Sequence, residues 1–274
     1  MSKVILITGC SSGIGHATAH FFADEGWSVV ATMRHPEQRQ TDLKGMDNVD
    51  LLHLDVTDLG SVRDAVRRTI EKHGRIDVLV NNAGYAVEGV FEATTPEQVR
   101  RQFETNVLGL MDITREVIPI MRAQNGGTIV NVSSISGRIG APLHSVYDGA
   151  KFAVEGFSEG LQYELRPFNI RVKLIEPGVI RTDFYTRSMD FAKKEGLTEY
   201  DAMVTAEKKS AEQKIRVGSP PERIALCIFE AVNDMNWKLR HHAGKYSGLM
   251  LALRRILPDR AFFALIRRSS LPKK

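Results

Sequence analysis

Cysteine is nearly absent from this chain: there are two in 274 residues, Cys10 and Cys227. Their separation excludes a disulfide framework and any cysteine-based metal spacing. A reducing compartment is the economical expectation, and a cytoplasmic location with it. Long apolar runs are missing as well. Val4-Ile5-Leu6-Ile7 reaches Gly9 too soon to be the core of a signal peptide, and no uninterrupted apolar stretch could span a bilayer. The tail lacks acids. From Trp237 to Lys274, ten Lys or Arg face a single Asp259, so this basic extension (237–274) carries +9 in a chain whose total is +4. With 43% hydrophobic and 26% charged residues the composition is that of a globular protein. The length fits one large α/β domain over 1–274.

What is present is an alternation of apolar runs and helical periodicities. Lys3 to Thr8 reads as a buried parallel strand, continuous in Val, Ile and Leu. Thr8-Gly9-Cys10-Ser11-Ser12-Gly13-Ile14-Gly15 follows, then a helical pattern from His16 to Glu25 and a second strand, Trp27 to Thr32. Glycines in such a turn admit positive φ and let the backbone approach a diphosphate, which the first turn of the helix attracts through its N–H groups and dipole. Gly9, Ser11, Ser12, Gly13, Ile14 and Gly15 are therefore candidate cofactor ligands. The spacing is not the common Gly-x-Gly-x-x-Gly fingerprint, so the βαβ context carries the reading.

At the end of the second strand stands Arg34. An acid there would hold a free ribose 2′-hydroxyl, whereas a guanidinium attracts a 2′-phosphate. This favours NADP(H) over NAD(H), with Ser12 as a helper, unless Arg34 is only a solvated loop charge. A third strand, Val49 to Leu54, ends in Asp55-Val56, where a carboxylate could accept from an adenine amino group. Asp58 caps a helix from Leu59 to His73 that Gly74 stops. A fourth strand, Ile76 to Val80, leads into Asn81-Asn82-Ala83-Gly84, at a carboxyl edge where open α/β sheets hold ligands.

Pro96 opens a helical region, interrupted near Gly109, that runs to about Met121. It contains Asn106, either a hydrogen-bonded structural residue or the holder of a water. A fifth strand, Thr128 to Val132, delivers Ser134. In the helix from Tyr147 to Arg166, the i, i+4 spacing stacks Tyr147 and Lys151 on one face. A phenol with a pKa of about 10 exchanges protons poorly at neutral pH, and a nearby ammonium lowers it. Taken alone, Tyr-x-x-x-Lys is also a chance pattern on surface helices. A sixth strand, Ile170 to Ile175, precedes Pro177-Gly178-Val179-Ile180-Arg181-Thr182. These strands and helices predict a doubly wound, Rossmann-type parallel sheet of six to seven strands with helices on both faces.

Together the glycine turn, Asp55, Asn81 to Gly84, Asn106, Ser134, Tyr147-x-x-x-Lys151 and Pro177-Gly178 with Thr182 resemble the short-chain dehydrogenase/reductase family over the first 182 residues. Within it, the Ala-Thr-Met-Arg after strand two and the Leu257-Pro258-Asp259-Arg260 of the tail are most similar to the subgroup holding 17β-hydroxysteroid dehydrogenase type 1 and the retinol dehydrogenases. The resemblance implies an oxidoreductase that interconverts an alcohol and its ketone or aldehyde with NADP(H), on a bulky steroid-, retinoid- or lipid-like substrate. It implies Tyr147 as acid/base, Lys151 as the group that lowers its pKa and bonds the nicotinamide ribose, both of them in contact with the cofactor, Ser134 as the orienter of the substrate oxygen, and Asn106 as support for a water in the proton relay. Asn82, Ala83 and Gly84 would flank the cofactor's centre, and Pro177, Gly178, Val179 and Thr182 its nicotinamide end. It implies homodimers or homotetramers paired through the two long helices. A quiet NADP(H)-binding sensor, or a reductase of smaller ketones, are the alternatives.

The stretch 183–217 reads as a lid over the substrate, with helical signals at Met189 to Lys194 and Asp201 to Lys214 and apolar Phe184, Tyr185, Met189, Phe191 and Met203. It could equally be a surface excursion. His144 either faces the substrate or is a solvated loop residue. A helix is expected from Arg223 to Val232. The tail shows helical spacing at Leu249, Met250, Leu253, Ile256 and Leu257, then Phe262, Phe263, Leu265 and Ile266. A basic amphipathic pair of this kind fits a weak contact with an anionic membrane surface, or a cover over the protein's own pocket. No nucleic-acid-binding module is recognisable.

Overall fold

The computed structural model describes residues 2–182 and 184–270. Strand β1 (Val4–Ile7) is apolar at every position and buried at every position, as an interior parallel strand must be. Helix α1 (Gly13–Asp24) starts within the glycine turn, one turn earlier than the apolar periodicity indicates. Strands β2 (Ser28–Met33) and β3 (Val49–His53) follow. Helix α2 (Leu59–His73) has the expected bounds: the Asp58 carboxylate accepts from the Gly60 N–H at its start, and Gly74 takes φ 72° at its end.

After β4 (Val78–Asn81) comes a short strand the sequence did not reveal, β5 (Ala86–Glu88). The expected break near Gly109 is a π turn (Glu104–Leu108) joining α3 (Pro96–Phe103) to α4 (Gly109–Ala123), so the helical path is continuous. Then come β6 (Gly127–Val132), α5 (Ser145–Leu165) and β7 (Ile170–Pro177). Beyond Thr182 lie the short α6 (Phe184–Arg187), β8 (Met189–Phe191) and α7 (Asp201–Arg216). Helix α8 (Glu222–Asn233), strand β9 (Arg240–Ala243) and helices α9 (Ser247–Ile256) and α10 (Asp259–Ser270) complete the described chain.

Seven parallel strands form one sheet in the order β3-β2-β1-β4-β6-β7-β9. Strand order reverses at β1, which pairs with β2 on one side and β4 on the other. That reversal opens a crevice at the carboxyl ends of β1 and β4. One face of the sheet is covered by α2, α4 and α5, through residues such as Val62, Ile113, Val117 and Val154. The other is covered by α1 and α8, through Phe22, Ile224 and Ile228.

Two expectations are corrected. Met189 to Lys194 is not helical: β8 pairs in parallel with β5, with Ala86 N–H donating to Ser188 O and Ala192 N–H to Glu88 O. A short apolar run carries no periodicity of its own, and the free edge of β5 decided its conformation. The basic extension is not helical from its start either. Arg240–Ala243 forms the seventh strand, a polar one at the sheet edge. The outer face of α9 and α10 exposes Leu249, Ile256, Phe263 and Leu265, while Phe262 is fully buried. The side chain of Tyr185, residue 183 and residues 271–274, which include two of the tail's lysines, lie outside the described residues.

Candidate active site

The glycine turn after β1 is fastened to the turn after β4. The Asn82 side-chain amide donates to Thr8 O (2.9 Å) and Gly9 O (3.1 Å), while the Thr8 hydroxyl accepts from the N–H groups of Asn82 and Ala83. Gly9 and Gly13 take φ of 74° and 61°. A Cβ on Gly15 would lie 2.4 Å from both Asn82 Nδ2 and Gly9 O, so only glycine fits. Ser12, the N-cap of α1, makes no side-chain capping bond, which leaves the helix's opening N–H groups directed at the crevice. Ser11 and Ile14 lie half-buried in the same turn. A Cβ on Gly13 would meet the Thr182 side chain at 3.6 Å, so Thr182 faces the glycine turn from the far side of the crevice.

Arg34 is exposed at the end of β2 and forms no ion pair with a described residue; its carbonyl accepts from His53 Nδ1 (2.6 Å). Asp55 spends one carboxylate oxygen on its own turn, accepting from Thr57 N–H (2.9 Å) and hydroxyl (2.7 Å). Val56 is buried, and its carbonyl would lie 2.6 Å from a Cβ on Gly109. Gly178 has a structural burden that the sequence hid: a Cβ there would be 2.2 Å from Lys245 O, where the chain leaving β9 crosses it. Val179 N–H donates to that same carbonyl, and Pro177 ends β7, paired with Ala243.

At the carboxyl edge of β6, Ser134 stands two residues beyond Val132, whose carbonyl the Lys151 ammonium reaches. Ser134 caps a 3-10 turn and its hydroxyl oxygen accepts from Ser136 N–H (3.1 Å), which leaves the hydroxyl proton to donate elsewhere. The Lys151 ammonium is buried, donates to Val132 O (2.8 Å) and lies 5.8 Å from the centre of the Tyr147 ring. Burial pulls its pKa down to about 8, against the opposing pull of the Glu155 carboxylate one turn on. The Phe184 ring lies 6.1 Å from that of Tyr147, so the first turn of the 183–217 segment stands over the phenol.

Asn106 sits in the π turn with its side chain committed: Nδ2 donates to Tyr85 O (2.9 Å) and Oδ1 accepts from Tyr85 N–H (3.2 Å). The side chain thus clamps the segment that follows Gly84 and leads into β5. Single-turn π segments interrupt the regular ladder of main-chain bonds.

Several site residues were invisible to sequence reasoning. Asp148, beside Tyr147, is buried; its Oδ2 accepts from Ala141 N–H (2.7 Å) and burial pushes it up to about 6. It ties the loop that follows Ser134 to the first turn of α5. Beneath Lys151, Arg240 reaches Glu155 (2.9 Å), Glu159 (2.9 Å) and Glu176 (3.5 Å), and Arg138 reaches Glu176 (3.4 Å). Burial first, then Glu155, pushes Glu176 up to about 6. Only an acid recurring at inward helical positions, such as Asp148 and Glu155, could have signalled this layer.

The model of the short chain dehydrogenase family matches residues 3–192. The chain is 37% identical over 259 residues to a 3-ketodihydrosphingosine reductase of Bacteroides thetaiotaomicron, covering 94% of each protein. Among solved structures it is similar to a short-chain dehydrogenase from Streptomyces avermitilis, with a TM-score of 0.83, 32% identity, and coverage of 98% of this chain and 97% of that one. It is also similar to ElxO with NADP bound, at a TM-score of 0.70 and 28% identity, covering 88% of this chain and 96% of that one.

Proposed function

The chain belongs to the short-chain dehydrogenase family, and from that premise we propose that it interconverts a bulky apolar alcohol and its ketone or aldehyde with NADP(H). Members of the family use nicotinamide cofactors, and the crevice at β1 and β4 fits one: a glycine turn held open by Asn82, with no room for a Cβ at Gly15. When bound, the cofactor supplies or accepts the hydride. Gly9, Ser11, Ser12, Gly13, Ile14 and Gly15 would hold its diphosphate, and Asp55 and Val56 its adenine. Asn82, Ala83 and Gly84 would lie along its centre, and Pro177, Gly178, Val179 and Thr182 at its nicotinamide end. The exposed Arg34 guanidinium, unpaired with any described residue, would take a 2′-phosphate, which is the preference for NADP(H) over NAD(H). The ElxO complex, a relative with NADP bound, supports that choice.

The observation that carries the catalytic reading is the buried Lys151 ammonium, held at Val132 O two residues before Ser134 and 5.8 Å from the centre of the Tyr147 ring. Tyr147 gives the proton to a carbonyl oxygen or takes it from an alcohol. Lys151, held by Val132 O, stabilises the phenolate by its charge. Ser134 donates its free proton to the substrate oxygen and fixes it in place. Asn106 acts by holding the π turn and, through Tyr85, the wall of the site.

The substrate class rests on the half-buried Phe184, Met189, Phe191 and Met203 of the proposed lid and on the 3-ketodihydrosphingosine reductase among the relatives. Pairing into homodimers or homotetramers is supported by the apolar Leu108, Phe152 and Tyr163 that the π turn and α5 leave exposed. The decisive experiment is Tyr147→Phe, measured as carbonyl-dependent NADPH oxidation. Turnover should fall by roughly 10²–10⁴-fold, the worth of a positioned acid/base, while NADPH still binds by fluorescence titration. Retained turnover would remove Tyr147 from the role.

A further inference from the structure

In parallel strands, successive side chains point to opposite faces. In β5, Val87 turns into a small cluster with Val146 and Phe103. Glu88 turns the other way, towards the lid helix α7 and the start of α5, where its charged neighbours are His144, Glu207 and Lys208. Glu88 is only 7% exposed. Its carboxylate nonetheless makes no hydrogen bond or ion pair with any described residue, and burial raises its pKa above the ordinary carboxylate range. The Lys208 ammonium lies instead over the Phe191 ring, 4.1 Å from its centre. Glu207, also buried, puts a second carboxyl group on the same side. An acid so little exposed and so poorly partnered is costly to the free protein, and a cation reaching its accessible oxygens would reduce that cost.

The backbone holds this acid against the start of α5, the helix that carries Tyr147. Gly89 N–H donates to Leu143 O (2.8 Å), and Glu88 O accepts from Ala192 N–H (2.8 Å) of the lid. Leu143, held at φ 64°, delivers His144, which precedes Tyr147 by three residues on α5. One helical turn is about 5 Å. The His144 ring is itself tied by Nδ1 to Pro142 O (2.8 Å). Around this polar corner the lid supplies Phe184, Met189 and Phe191.

We propose that Glu88 is a specificity-determining residue that binds a protonated amine on the substrate, so that the preferred substrate is an amphiphilic amino ketone or amino alcohol with its ammonium within a few bonds of the reacting carbon. The proposal rests on the oxidoreductase reading above and adds the head group to it. The cation sits against Glu88, with the neutral apolar remainder against the lid.

The test compares a long-chain α-amino ketone with the same ketone lacking the amine, using the full chain and NADPH. A charge-assisted hydrogen bond predicts a preference of about 10–100-fold in kcat/KM for the amino ketone, falling to near unity in Glu88→Gln. A parallel binding measurement, the rise in Tm caused by a long-chain alkylamine against the matching alcohol, needs no turnover. The amine should stabilise the wild type more, and Glu88→Gln should abolish the difference. Equal kcat/KM values or equal Tm shifts in the wild type would overturn the assignment of Glu88, as would a preference that survives in Glu88→Gln. Turnover of neither ketone, with the amine-specific Tm shift intact, would instead count against the oxidoreductase reading while supporting the cation site.

Discussion

The two halves of the crevice are built differently. On the cofactor side, the turns after β1 and β4 are locked to each other by Thr8 and Asn82, and their glycines are hemmed in by backbone and side-chain atoms. On the side proposed for substrate, the segment after Thr182 hangs from one short strand pair, β5 with β8, and from helices whose outer surfaces stay apolar or charged. The first half is a rigid cradle for a ligand of constant shape. Under the proposed function the second is an adjustable wall, in which a few side chains such as Glu88 and Phe184 would set what is accepted. A fixed ligand selects tight packing, and a particular substrate selects only its local contacts.

Breaking the rigid half should have the larger consequence. Gly15→Ala forces a methyl group to within 2.4 Å of Gly9 O and Asn82 Nδ2. Overpacking of this kind costs about 1–3 kcal/mol, and NADPH affinity should fall with it; a variant with unchanged Tm and unchanged NADPH binding would show the cradle to be softer than its geometry. Arg34→Ala tests the same half more selectively. It should raise the KM for NADPH by roughly 10-fold or more, in line with loss of a charged hydrogen bond, and leave the KM for NADH nearly unchanged. An equal change with both cofactors would remove Arg34 from phosphate recognition.

Helix α5, between the halves, offers a pH test. Burial pushes Asp148 up from 3.8 to about 6. The folded chain therefore holds this proton more tightly than the unfolded chain does, and the resulting stability is present below pH 3.8 and lost as pH rises through 6. Asp148→Asn keeps an acceptor for Ala141 N–H and has no charge to bury. Relative to wild type it should be more stable above pH 6, by roughly 1–3 kcal/mol, and gain little at pH 4, as urea titrations at several pH values would show. Glu176, also raised to about 6, keeps part of the slope in the variant. A constant difference across pH would mean that Asp148 is not the titrating group.

The smallest effect concerns the outer edge of the adjustable half. Leu249, Ile256, Phe263 and Leu265 stand exposed among Arg255, Arg260, Arg267 and Arg268. Contact between this face and an anionic bilayer would appear as weak flotation with phosphatidylserine vesicles, lost in Ile256→Ser with Phe263→Ser and weakened by salt. No flotation would leave the extension as a cover for the protein alone.

Local signals set down the parallel sheet, the glycine turn and the Tyr147 and Lys151 pair, because buried strands read as continuous apolar runs and a helix stacks residues four apart whatever surrounds it. The bounds of α2 could be read from Asp58 and Gly74, since caps act over a single turn. Tertiary structure alone decided that Met189–Phe191 is a strand and not a helix, that Arg240–Ala243 completes the sheet, and that Asn106 clamps Tyr85. It alone buried the acids Glu88, against the start of α5, and Asp148, in its first turn. Whether a carboxyl group is buried, paired or free depends on residues far along the chain, and no local pattern encodes that distance.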